Sequence, residues 1–270
     1  MKKTDFVIFA IMLCLTLSFN NSVFSMETPI HQPFNNQIDS ISQSFQGDNV
    51  ENLYNELKQK FPPKNEFETT NIYLNRLVSE DYNSLYSFVI DSYTISVLSK
   101  YNADRQNFDF QIPMYPTMNL DNTAAGIESY PTVITKMIQD EKSTYIASNS
   151  FGNEVQVTKY TGKEYGIAIT NLKDLHIDRY TNCYNVSIKV PLDKAKNLKE
   201  NLGILMIGKL KISGKIPSYF YSSIRYFKPT ISNPKEFSYL QYLIYTDLKE
   251  IWVYDSSTGE IFKKIIINKK

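Results

Sequence analysis

EVQVTKYTGKEYGIAIT, residues 154–170, alternates apolar and polar positions on both sides of a Thr161-Gly162-Lys163 triplet. A period of two marks a half-buried strand, and glycine punctuates a chain most readily, so the stretch predicts a strand, a turn at the triplet and a second strand. Downstream the pattern continues with YNVSIKV, then a helix over PLDKAKNLKENL that aligns Leu192, Ala195, Leu198 and Leu202, then a strand ILMIGKLKI. Strands, one helix and a closing strand form the element order of a partly open, OB-like five-stranded barrel, an order that many α+β folds share.

The C-terminal segment offers four further strands, YFYSSIRYF, SYLQYLIYT, IWVYD and IFKKIIIN. SSTGE joins the last pair, and Gly259 can adopt the positive φ that a hairpin bulge requires. Asn233-Pro234-Lys235-Glu236 has the form of a helix start with a capping-box Glu, which predicts one or two helical turns at most before a strand at Tyr239.

Upstream, residues 115–130 read as a loop and Pro131 to Gln139 as a short helix with proline in its first turn. Tyr93, Ile95 and Val97 alternate, as do Phe108, Phe110 and Ile112, and the polar stretch Asn102 to Gln106 between them completes an antiparallel hairpin. Before these lies FPPKNEFETTNIYLNRL, residues 61–77. Asp48 or Asn49 caps a helix whose Val50, Leu53, Tyr54, Leu57 and Phe61 share a face, and Pro62-Pro63 end it. Thr69 or Thr70 caps a second helix that turns Ile72, Tyr73 and Leu77 inward, with Glu66 and Glu68 placed where negative charge favours a helix start. Phe67, between these acids, reads as a buried staple. The expected fold is α+β, N-terminal helices followed by a mainly antiparallel β body that could include the OB-like barrel.

The first 25 residues have the three parts of a secretory signal: Lys2 and Lys3, an apolar run from Phe6 to Phe19, and a small-x-small ending at Val23-Phe24-Ser25. The organisation expected is a signal over 1–25, a flexible arm or linker over 26–47, a helical elbow with a β-hairpin region over 48–140, and a β-rich lobe with one inserted helix over 141–270. Cleavage removes Lys2, Lys3 and Asp5 from the 29 basic and 28 acidic residues, leaving a formally neutral chain. Such a chain has no electrostatic footprint for nucleic acid and, once the signal is gone, no segment that makes it an integral membrane protein. The KKIIINKK end is basic but short, and reads as a solvated terminus. Cys14 leaves with the signal, so Cys183 has no intramolecular disulfide partner.

No G-x-S-x-G, Walker-type or dinucleotide-binding glycine pattern is present, and no cofactor is expected. No metal site is expected either: one of the two histidines, His31, falls in the arm, and NLDNTA at 119–124 lacks the Gly and distal Glu of a calcium loop. The nearest approach to a catalytic cluster is Asp174, His176 and Asp178 with Cys183 downstream, where a carboxylate-oriented imidazole could activate the thiol. The alternative is an ordinary polar loop beside a packed thiol. Aromatic residues crowd the C-terminal strands, and Tyr219, Tyr221, Tyr226, Tyr242 and Trp252 are candidates for a ligand-binding surface; on alternating strands about half of such residues belong to the core instead.

Three phrases, FPPKNEFETTNIYLNRL, NSFG at 149–152 and WVYDSSTGE at 252–260, resemble recurring phrases of an exported bacterial protein family of unknown function. The resemblance implies an exported bacterial context and carries no catalytic residue over. The function expected from these readings is a non-catalytic binding or interaction module of the periplasm or cell envelope, its partner an envelope protein or glycan. The alternative is an envelope hydrolase that uses carboxylates or the Cys183/His176 pair.

Overall fold

Thr161-Gly162-Lys163 does not turn. In the computed structural model it lies inside one unbroken strand, Glu154–Ile169. The structure describes residues 31–79, 82–90, 99–118, 129–148, 152–171, 175, 177–178, 181–214 and 216–267. The expected signal segment, the Tyr93, Ile95 and Val97 strand, the 119–124 loop, Asn149 to Phe151, Asp174 and His176 lie outside the described residues.

In chain order the elements are α1 (Val50–Lys60), α2 (Thr70–Val78), β1 (Tyr86–Ile90), β2 (Lys100–Asn102), β3 (Asn107–Pro113), β4 (Tyr115–Met118), β5 (Ser129–Ser148) and β6 (Glu154–Ile169). There follow β7 (Ile177–Asp178), β8 (Cys183–Lys189), α3 (Leu192–Glu200), β9 (Leu202–Leu210), β10 (Phe220–Phe227), β11 (Lys235–Asp255) and β12 (Ile261–Ile266). All lie in one unit, Pro33–Lys270.

An eight-stranded sheet runs β1-β9-β11-β6-β5-β4, with β10 and β12 also paired to β11, and a four-stranded sheet runs β2-β3-β8-β7. The 21-residue β11 organises the larger sheet. Its first half pairs in parallel with β6 and antiparallel with β10; its second half pairs antiparallel with β9 and β12. Tyr245 donates its N–H to Tyr219 and accepts from Lys211, so β10 and β9 lie along the same side of β11. A bulge between Leu248 and Glu250 marks the passage from one half to the other. Around the first half the sheet curls into a half-barrel that brings β10 against β4.

These pairings overturn the α+β expectation. Of the described residues 54% are strand and 14% helical, in three helices. The Pro131–Gln139 segment, read as a helix, is the start of the 20-residue β5, because Val133 pairs with Ile167 and Ile134 with Gly166 on β6. Non-local pairing has overridden local propensity there. The helix start at Asn233 fails for a similar reason: the Pro234 carbonyl accepts the Thr158 N–H at 2.9 Å, and Glu236 is occupied by Tyr145 and Lys159 instead of a backbone N–H. The OB-like barrel is excluded by the strands that flank α3. β8 belongs to the four-stranded sheet and β9 to the eight-stranded one.

Gly162 serves close packing. A Cβ there would lie 2.2 Å from the Ile138 carbonyl oxygen and 3.0 Å from the Tyr239 ring. Backbone cannot yield as a flexible side chain can, so Gly162→Ala is expected to lower the unfolding free energy by about 1–3 kcal/mol. Urea titration checks this, and an unchanged midpoint would contradict it.

The helices form an elbow against the sheet. Asn49 caps α1 through the Asn52 N–H, and Val50, Leu53, Tyr54 and Leu57 are buried on one face. Thr69 caps α2 through the Ile72 N–H. Glu68 pairs with Arg76 at 3.0 Å, and Arg76 also reaches the Pro62 carbonyl at 3.1 Å, tying the second helix to the end of the first. Two expectations fail here. Ile72 is 58% exposed and Phe67 is 88% exposed, so Phe67 staples nothing; the Glu68–Arg76–Pro62 ties hold the elbow without it. Residues 33–47, expected as an arm, run beside the second half of β11, where Phe34, Ile38, Ile41 and Phe45 pack with Trp252 and Tyr254.

Candidate functional site

The elbow meets the β10–β11 hairpin through aromatic rings. Tyr54 inserts edge-on between Phe220, at 5.0 Å, and Tyr242, at 5.1 Å. Phe61 packs on Tyr219 at 5.3 Å. Two hydroxyls clasp the layers: Tyr73 donates to the Pro217 carbonyl at 2.7 Å, and Tyr219 donates to the Leu77 carbonyl at 3.1 Å. Each phenol is amphipathic, burying its ring while its hydroxyl finds a partner.

Between elbow and hairpin lies a cleft of about 480 Å³, walled by Tyr54, Phe61, Tyr73, Phe220 and Tyr242, with Lys58, Ser218 and Ser222 as polar members. That is the size and composition of a small-ligand site, mostly apolar with few polar groups. Tyr242 is backed by Tyr165, stacked at 5.2 Å. Burial, reinforced by the Glu51 carboxylate alongside, pushes the Tyr165 phenol up to about 12. Burial likewise raises Tyr73. These phenols stay protonated at neutral pH, as donors and stacking faces. Among the described residues that border the cleft there is one cation, Lys58, and no carboxylate. The arrangement can stack on a flat face and exchange hydrogen bonds; it holds no acid–base pair.

The five aromatic candidates do not form one surface. Tyr221 and Tyr242 border the cleft and Tyr219 stands behind Phe61. Tyr226 is 48% exposed farther along β10, and Trp252 is fully buried in the other half of the sheet. Tyr54, Phe61 and Tyr73, which complete the cleft, are absent from that set. They come from helices remote in sequence, and their one sequence signal is that aromatic residues occupy the inward stripe of each helix. Cys183 is buried and its Sγ donates to the Thr181 carbonyl at 3.3 Å, while Asp178 accepts the Thr181 N–H to close the β7–β8 turn. Among the described residues no group of three or more His, Cys, Asp or Glu could hold a metal ion. Nor is any described helix long and apolar enough to cross a membrane. Compared with known protein families, curated proteins and solved structures, the chain matches none.

Proposed function

We propose that the chain is an exported, non-catalytic binding module of the periplasm or cell envelope, and that the tyrosine cleft takes a saccharide segment of an envelope glycan. The observation that carries this reading is the clasped cleft itself, in which Tyr54, Phe220 and Tyr242 are fixed against one another before any ligand arrives. Preorganised rings stack on the apolar face of a sugar at little entropic cost. Neutral hydroxyls and a single Lys58 suit an uncharged, hydroxyl-rich partner. Export rests on the signal pattern of residues 1–25, and the three resembling phrases point the same way. The hydrolase alternative has less support, since the Cys183 thiol is packed and engaged and no carboxylate among the described residues borders the cleft.

The test is calorimetric titration of the mature chain with peptidoglycan-derived oligosaccharides. Tyr242→Ala is expected to weaken binding about tenfold, an effect of about 1.4 kcal/mol, with near-UV circular dichroism confirming the fold. Failure of every saccharide to bind at millimolar concentration, or unchanged affinity in the folded variant, would remove the reading.

A further inference from the structure

The concave face of the half-barrel carries a second constellation, independent of the tyrosine cleft. Ladder register sets it: Arg225 stands opposite Tyr239, Phe227 opposite Phe237, and Gln241 beside Glu164 on β6. Residues two apart share a face, so these side chains gather at one end of the curl. Arg225 pairs with Glu164, and Gln241 donates to the other Glu164 oxygen at 2.9 Å. The Glu164 side chain is 1% exposed and that of Arg225 21%, so the pair runs from the interior out to the mouth. Rings of Tyr115, Phe227 and Tyr239 surround the guanidinium at 5.5, 5.6 and 5.5 Å.

Two buried polar atoms there are unspent. Arg225 Nε and Gln241 Oε1 have no hydrogen-bond partner among the described residues. Outside Arg225 opens a cavity of about 450 Å³, bordered by Arg225, Lys228, Lys235, Phe227, Phe237 and Met137. No carboxylate borders it among the described residues, and Lys228 and Lys235 make no ion pair there. Glu164 compensates the guanidinium from below and leaves both lysines uncompensated above. Phe227 and Met137 are exposed apolar surface at the same mouth.

We propose that this mouth is a binding site for an amphiphilic carboxylate, its head group held by Lys228, Lys235 and the Arg225 edge and its apolar body laid on Phe227, Phe237 and Met137. Cations demand the charge, since a carboxylate forms charge-assisted hydrogen bonds with them about twice as strong as neutral ones. Exposed rings demand the body, because covering them removes apolar area from water. Glu164 is a positioning residue, which fixes the guanidinium without touching the ligand.

Calorimetry with naphthoate, laurate, naphthamide and acetate tests the site on the mature chain. One equivalent of naphthoate or laurate is expected to bind, the tighter of the two telling a planar body from an alkyl chain. Naphthamide should bind at least about tenfold more weakly, for want of the charge. Acetate, lacking the body, should give no heat at millimolar concentration. The double variant Lys228→Ala, Lys235→Ala should weaken the acids at least about fivefold while its thermal midpoint stays that of the parent; both lysines are exposed and their loss leaves no buried partner. Lys58→Ala, in the tyrosine cleft, should change nothing. Equal binding of acid and amide, indifference to the double variant, sensitivity to Lys58→Ala instead, or no binding of either acid would each overturn the proposal.

Discussion

Arg225→Ala is expected to lower the unfolding free energy at neutral pH by about 3–5 kcal/mol, the range found when one partner of a buried ion pair is removed. The loss comes from what remains. Glu164 is buried, and without Arg225 its charge is answered, among the described residues, by the Gln241 amide. Burial already pushes the Glu164 carboxyl above its ordinary value of 4.5, with Arg225 and then Gln241 pulling it part of the way back. The folded chain therefore holds this proton more tightly than the unfolded chain does. That contribution to stability is complete below the unfolded value and is lost as pH rises through the folded one. Removing Arg225 raises the folded value further, so the penalty should be largest at neutral pH and shrink on acidification.

Other carboxylates titrate in the opposite sense. Glu51, Glu68 and Glu236 are held low chiefly by Lys136, Arg76 and Tyr145, and their contributions are lost as pH falls through their folded values. The decisive comparison is thus Arg225→Ala against the double variant Glu164→Gln, Arg225→Ala, in urea titrations from about pH 7 down to about pH 4. The double variant should be the more stable at neutral pH, and the gap should close toward the acid end. A single-variant loss under about 1 kcal/mol, or a gap indifferent to pH, would show that Glu164 is solvated after all.

Trp252→Ala should cost about 3–5 kcal/mol, as truncation of a large buried aromatic does. Trp252 is fully buried, and it is the knot between residues 33–47 and the second half of β11. The Phe34 ring meets the indole edge-on at 5.4 Å, and Lys264 stands over its face at 4.1 Å. The same Lys264 ammonium donates to the Ile38 carbonyl at 2.5 Å, and the indole N–H donates to Glu250 at 2.7 Å. Truncation removes the surface on which the N-terminal segment lies. Trp252→Phe, which keeps part of the volume, should cost less. Denaturation followed by far-UV circular dichroism suits both variants, because Trp252 is the chain's one tryptophan and fluorescence leaves with it. Equal stability of the alanine variant and the parent would mean that the 33–47 segment adds nothing to the fold.

Short-range features of the sequence were legible and long-range ones were not. Asn49 and Thr69 as caps, the Pro62-Pro63 stop and the positive φ of Gly259 are decided within a few residues. The half-barrel depends on three long strands, and each was broken at a local signal that distant pairing overrides. Gly162 reads as a turn, yet it is small because the Tyr239 ring and the Ile138 backbone close over it. Val133, Ile134, Met137 and Ile138 have helical spacing, and bulges at Ile134/Lys136 and Gln139/Glu141 let β5 carry that spacing as strand. Asp247-Leu248-Lys249-Glu250 reads as a gap between two strands, where β11 continues through a bulge. For the cleft, the strand half (Tyr221, Tyr242) could be read from alternation. Its helical half could not, because nothing local says which sheet a helix stripe will face. Arg225 and Glu164 gave no signal at all: a charge at an inward strand position looks like an outward one until register is known.

β11 is made after β6, β9 and β10, yet these three and β12 all depend on it for pairing. Gln241 meets Glu164 across 77 residues of sequence, so the loops closed by this strand are long and entropically slow to form. A nascent chain that has reached only β10 holds the β5–β6 hairpin with one edge of β6 bare, and β1–β9 with no partner beyond β9. Productive folding of the larger sheet must then wait until β11 itself has been made.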